Sequence, residues 1–213
     1  MIKCAMFDFD GTLVDSNDIK FNAFFKVTRH IPNSKKILEK VLQKQIGDRY
    51  AIFSYFAHEM HSEYGISVNA EKLCDEFTFF CEEEVSKSPY KDGFEESLKK
   101  LKLTNIKLFV SSATPQETLN NIIIRRGISH YFDGIFGTPD TKEIHIEKVK
   151  KLLSFSSSEV LYVGDSEPDR LAALNSNCHF FGIGLDSSRF SIKPTILLET
   201  LHDLPKSVST IES

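Results

Sequence analysis

MFDFDGTLVDS, residues 6–16, closes an apolar run on two aspartates and turns at once through Gly11 and Thr12. The segment Ile2–Phe9 is short, apolar and followed by a glycine, the pattern of a strand buried on both faces of a parallel sheet. Carboxylates at the end of such a strand cost free energy unless something compensates them. Asp8 and Asp10 are therefore candidates for chemistry. Side chains two apart on a strand share a face, which places their Cα atoms roughly 6.5 Å apart.

Beyond this stretch the texture changes. From Ser16 to about Ser88 no strand-like alternation occurs. Apolar residues recur instead at helical spacing: Ile19, Ala23 and Val27, then Leu38, Val41 and Leu42, then Ile52, Phe53 and Phe56, then Leu73, Phe77, Phe80 and Cys81. The spacing predicts a bundle of about four helices. Ser88–Gly93 (SPYKDG) reads as a linker. Helices and strands alternate from there on. Helices are expected over Phe94–Leu103 and Lys142–Leu153, and strands over Ile106–Val110, Phe132–Phe136, Val160–Val163, His179–Ile183 and Thr195–Leu198. Thr114-Pro115-Gln116-Glu117 reads as a capping box, with Gly127 as the matching helix stop. Alternation of this kind means a parallel sheet covered on both faces. The expected fold is α/β, a doubly wound core of residues 1–15 and 90–213 with a helical insert, 16–89, after the first strand.

Composition narrows the function. The 213 residues carry a net charge of −4, which gives no electrostatic reason to expect nucleic acid. No stretch reaches the ~18 apolar residues of a membrane span. The N-terminus lacks the pattern of a signal peptide, so the cytoplasm is the expected compartment. Cys4, Cys74, Cys81 and Cys178 form no CxxC pair and sit in apolar contexts, as reduced core thiols do.

In doubly wound sheets ligands bind beyond the carboxyl ends of the strands. The residues there are Asp8 and Asp10 after the first strand, Ser111-Ser112 after the second and Gly164-Asp165 after the fourth. Carboxylates converging on a crevice repel one another unless a cation is present. An all-oxygen site of this kind suits Mg²⁺, which shares its shell with waters and a substrate phosphate. Ser166-Glu167-Pro168-Asp169 is a second capping box.

The chain resembles the haloacid dehalogenase superfamily, in the subgroup with an α-helical cap inserted after the first motif. Two motifs carry the resemblance: Asp8-Phe9-Asp10-Gly11-Thr12-Leu13-Val14-Asp15-Ser16 fits DxDGT[LV]xDS, and Gly164-Asp165-Ser166-Glu167-Pro168-Asp169 fits GDSxxD. The resemblance implies a Rossmann-like core and a cap over residues 16–89. It makes Asp8 the nucleophile that forms an aspartyl-phosphate, and Asp10 the acid and base. Mg²⁺ would be held by Asp8, the Asp10 backbone carbonyl and Asp165, with Asp169 supporting it. Gly11, Thr12 and Ala113 would contact the phosphate. Of Ser111 and Ser112, alignment with the family pattern favours Ser112 as the phosphate-binding hydroxyl. Of Lys142 and Lys148, it favours Lys142, which opens a helix after Gly137-Thr138-Pro139-Asp140-Thr141. Asp15 and Ser16 mark the entry to the cap. Within the cap, Lys20, Arg49 and Tyr50 are candidate substrate contacts, and Arg49 is singled out for a second anionic group.

Relatives that use the frame otherwise are separated by these residues. Haloacid dehalogenases lack the second aspartate, and phosphonoacetaldehyde hydrolases replace it with alanine; Asp10 argues against both. Mutases of the β-phosphoglucomutase type keep both aspartates but rely on a cap histidine shortly after the first motif. Asp18-Ile19-Lys20 offers none before His30. Receiver domains share an acidic Mg²⁺ site but are about half this length and carry no insert after the first strand. The resulting expectation is a Mg²⁺-dependent phosphatase acting on a small phosphomonoester, of the phosphoglycolate or sugar-phosphate type.

Overall fold

The computed structural model describes residues 1–44 and 46–211. The first strand, β1 (Cys4–Phe7), is buried along its whole length. Four helices follow: α1 (Asn17–Thr28), α2 (Ser34–Gln43), α3 (Arg49–Tyr64) and α4 (Ala70–Val85). After α5 (Phe94–Leu103) come β2 (Lys107–Pro115), α6 (Gln116–Arg125), β3 (Gly134–Thr138), α7 (Lys142–Leu153), β4 (Val160–Gly164), α8 (Glu167–Asn175), β5 (His179–Ile183), β6 (Leu197–Leu198) and α9 (Leu204–Thr210).

The strands form one parallel sheet in the order β3-β2-β1-β4-β5-β6. The chain leaves β1 to one side for β2 and returns on its other side as β4. That reversal opens a crevice at the carboxyl end of β1, where doubly wound sheets place their ligands. On one face of the sheet Cys4, Met6, Phe109 and Tyr162 pack with Ile146 and Val149 of α7 and Ala172 and Ala173 of α8. Leu98 and Leu101 of α5 and Leu119, Ile122 and Ile123 of α6 are buried as well.

Contacts divide the described chain into two units, Met1–Ser16 with Lys87–Ser213, and Asn17–Ser86. The second unit contains α1 to α4, and its interior is aromatic. Phe24 meets Phe53 and Phe77 with ring centroids 5.3 and 4.5 Å apart, and Phe53 meets Phe77 at 5.8 Å. Asp48 and Asn69 cap α3 and α4, accepting from the amides of Ala51 and Lys72 at 3.0 Å each.

The strand bounds differ from the sequence expectation: β1 and β6 are shorter, at Cys4–Phe7 and Leu197–Leu198, β4 gains Gly164, and β2 and β3 are shifted. β3 begins at Gly134 instead of Phe132, because Asp133 is occupied in leading into it. Its amide donates to Leu108 O at 2.7 Å and its carboxylate accepts from Leu108 N at 3.0 Å. β2 runs on to Pro115, five residues past the expected end, which draws Ser111 to Thr114 into the sheet. Among the described residues no helix is long and apolar enough to cross a membrane. None of the four cysteines forms a disulfide, and Cys4, Cys74 and Cys81 are buried.

Candidate active site

β1 stops at Phe7, but the Asp8 amide donates to Val163 O at 2.9 Å and keeps Asp8 beside the end of β4. Gly11, at φ 80°, lets the chain double back. Its amide reaches Val14 O at 2.8 Å, and the amides of Leu13 and Val14 return to Phe9 O at 3.0 and 3.1 Å. The loop holds Asp8 buried and leaves Asp10 partly open to solvent.

Asp8, Asp165 and Asp169 converge, with one carboxylate oxygen of each lying within 4.8 Å of the others. All three are buried. Lys142, the first residue of α7, extends its ammonium between two of them, 2.9 Å from Asp8 Oδ1 and 2.5 Å from Asp169 Oδ1. The other oxygen of Asp169 accepts from the amide and hydroxyl of Ser166, at 3.1 and 2.5 Å. The capping box read from the sequence is therefore present, and the same carboxylate also binds Lys142. Gly164 makes room for it, since a Cβ there would lie 2.3 Å from Asp169 Cγ. Asp165 accepts from Thr12 Oγ1 at 3.4 Å and, through its second oxygen, from Arg189 Nη1 at 2.9 Å.

Burial pushes the Asp8 carboxyl well above its ordinary range. Lys142 pulls it down, and Asp169, Asp165 and Asp10 push it further up. Burial alone would weaken the charge on Lys142, but Asp8 and Asp169 outweigh it and hold the ammonium protonated. The donors are all oxygen, and their mutual repulsion persists beside Lys142. That chemistry fits a hard divalent cation.

Asp10 lies outside this triad. With the strand ending at Phe7, two-residue alternation does not carry through to residue 10. Its carboxylate accepts instead from Ser16 Oγ at 2.7 Å and Thr114 Oγ1 at 3.2 Å. Thr114 thus serves Asp10 and does not cap α6. The extended backbone continues to Pro115, which takes the N-cap position with no side-chain bond.

The two serine candidates part company because neighbours on a strand face opposite ways. Ser111 Oγ lies 2.9 Å from His145 Nδ1 in the core, whereas Ser112 Oγ accepts from the Thr114 amide at 3.1 Å. Ser112 is buried and Ala113 is exposed. Lys148 is exposed and pairs with Asp140, away from Asp8. Arg49 opens α3 in the other unit, its guanidinium 4.6 Å from the Tyr50 ring and 3.2 Å from the Tyr50 hydroxyl. Its Nε is buried with no partner among the described residues.

A polar network lies behind the site. Tyr162 donates to Ser111 O at 2.9 Å and lies 3.1 Å from Ser111 Oγ. His145 Nε2 meets Gly137 O at 3.2 Å. A carbonyl only accepts, so Nε2 carries the proton and Nδ1 accepts from Ser111. The network ties β2, β3 and β4 to α7, the elements that present Ser112, Asp165 and Lys142. The one local signal was spacing: His145 follows Lys142 by three residues on the helix.

Burial holds the His145 imidazole below its usual value of 6.5. The unfolded chain therefore takes up a proton near that pH which the folded chain refuses. Stability falls as pH drops from there towards the lowered value, at no more than ~1.4 kcal/mol per pH unit. The melting midpoint of the native protein is expected to fall across this window more steeply than that of His145→Gln. Parallel curves for the two proteins would refute the assignment.

Known proteins resemble this chain in sequence and in fold. The family model of haloacid dehalogenase-like hydrolases matches residues 5–183. A phosphoglycolate phosphatase of Photobacterium profundum is 28% identical over 193 residues, covering 85% of this chain and 83% of that protein. Pyrophosphatase PpaX of Bacillus velezensis is 25% identical over 218 residues, covering 95% and 94%. Among solved structures, that of a predicted phosphoglycolate phosphatase from Haemophilus somnus superposes with a TM-score of 0.78 at 20% identity, covering 97% of this chain and 98% of that one. At that identity the likeness establishes the fold.

Proposed function

The chain belongs to the haloacid dehalogenase-like hydrolases, and we propose that it is a Mg²⁺-dependent phosphatase of small phosphomonoesters working through an aspartyl-phosphate. The observation that carries the reading is the ammonium of Lys142 bridging Asp8 and Asp169 beside Asp165. This is a preorganised charge array of the kind phosphoryl transfer needs.

An Asp8 oxygen attacks phosphorus, and the bond from phosphorus to the leaving oxygen breaks as the new one forms. Asp10 delivers a proton to that oxygen, then takes one from the water that hydrolyses the acyl phosphate and frees Asp8. General acid–base help of this kind contributes typically ~10²–10⁴ in rate. Ser16 and Thr114 hold both oxygens of Asp10, so the group returns to one orientation between the two steps. Lys142 keeps the nucleophile's charge compensated, while Ser112 and the backbone around Gly11, Thr12 and Ala113 receive the phosphoryl oxygens. Asp8, Asp165 and the Asp10 carbonyl would hold Mg²⁺, with Asp169 supporting it, and the ion would neutralise charge on the phosphoryl group. Arg49 is the residue proposed for a second anionic group on the substrate.

The relatives' names supply the first substrates to try. A panel of phosphoglycolate, pyrophosphate, sugar phosphates and an aryl phosphate, ranked by kcat/KM with Mg²⁺, should show turnover that excess EDTA removes. Full activity in EDTA overturns the metal reading. No turnover of any phosphate compound overturns the phosphatase reading.

A further inference from the structure

Arg189 belongs to neither motif. It sits in a single 3-10 turn, Ser187–Arg189, after β5. Nη1 donates to Asp165 Oδ2 at 2.9 Å, from a side chain about half exposed onto a carboxylate that is buried.

The turn is a built position. Asp186 accepts from the Ser188 amide at 2.9 Å. Phe190 is buried and meets Phe180 edge-on at 5.8 Å. Ser191 is pinned to the start of α8, its hydroxyl donating to Glu167 Oε1 at 2.6 Å and its amide to Oε2 at 3.2 Å. Arg170 clasps the same Glu167 at 2.6 and 2.9 Å and donates to Ser191 Oγ at 3.1 Å. Glu167 fills a position that the GDSxxD pattern leaves open and Arg170 follows the pattern's last aspartate, and here they fasten the segment that carries Arg189.

We propose that Arg189 sets the cation affinity of the active site, lowering it by sharing Asp165 with the bound ion. The inference rests on the reading of Asp165 as a ligand for Mg²⁺. A guanidinium is charged at every working pH, and its planar fork loses little freedom when bonded. Two cations drawing on one carboxylate repel each other and divide its negative charge. Asp165 does not depend on Arg189 for its place, because burial and the Thr12 hydroxyl also confine it. What the guanidinium adds is therefore mainly charge. Half-exposure and salt screen part of the repulsion.

The test is the Kd of the full-length protein for Mg²⁺, measured without substrate by competition against Mn²⁺ paramagnetic resonance. Arg189→Gln, which removes the charge and keeps an N–H donor, should bind about tenfold tighter than the native protein. Arg189→Lys should stay near the native value, and the gap should narrow as salt rises. Equal or weaker binding by Arg189→Gln, with Mg²⁺ bound normally by the native protein, overturns the role of Arg189 alone. Failure of the native protein to bind either ion overturns the metal reading of the triad, and the role of Arg189 with it.

Discussion

Asp8→Asn should fold normally and lose turnover by about 10⁴-fold or more. The amide keeps the shape of the carboxylate but has no charged oxygen to attack phosphorus. No neighbour replaces it, because Asp165 faces Arg189 and Thr12, and Asp169 is committed to Lys142 and Ser166. The same change should not destabilise the protein in EDTA. Burial raises the Asp8 carboxyl above its unfolded value of 3.8, so the folded state holds a proton that the unfolded state has released. Stability contributed at Asp8 is therefore lost as pH rises from 3.8 through the raised value. Asparagine, always neutral, escapes that loss. Melting at neutral pH in EDTA should show Asp8→Asn at or above the native midpoint, the usual opposition between a charged site and stability. Activity within tenfold of native would remove Asp8 as nucleophile. A markedly lower midpoint would mean that the Lys142 pairing outweighs the repulsion.

Lys142→Met should be the more damaging change to the fold. It withdraws the ammonium shared by two buried carboxylates, and breaking a buried ion pair on one side costs about 3–5 kcal/mol. In a chain of 213 residues that lowers the melting midpoint by about 10 °C. Turnover should fall by ~10²–10³ from lost charge stabilisation at the phosphoryl group. Adding Asp169→Asn to Lys142→Met should recover part of the midpoint and none of the turnover, because it removes a stranded charge without restoring the ammonium. Recovery of both would show that the lysine acts only through stability. An unchanged midpoint in Lys142→Met would show that solvent already compensates the carboxylates.

Wherever one segment of chain carries its own explanation, the sequence was enough. The apolar run into Asp8, the Gly11 turn and the alternation after residue 93 specify a buried central strand and a doubly wound sheet, because strand burial and helix period are local patterns. Asp169 could be read as a cap from Ser166, three residues away. The helical texture of the insert likewise appeared as α1 to α4. Local reading failed at Thr114, where Thr-Pro-Gln-Glu has the form of a cap. Continued pairing of β2 as far as Pro115 gives the hydroxyl a better use on Asp10, 104 positions away.

The remaining parts of the site have no local signature. Tyr162 and Ser111 meet across 51 positions, Ser111 and His145 across 34, and Arg189 and Asp165 across 24. Tyr162, His145 and Arg189 each read, taken alone, as an ordinary core or surface residue. Patterning thus determined which strands end in carboxylates, since burial and turn formation are decided within a few residues. Only the tertiary structure decided which charges share those carboxylates. Once they are withdrawn from water, an ion pair depends on separation in space, and it is the order of strands in the sheet that sets that separation.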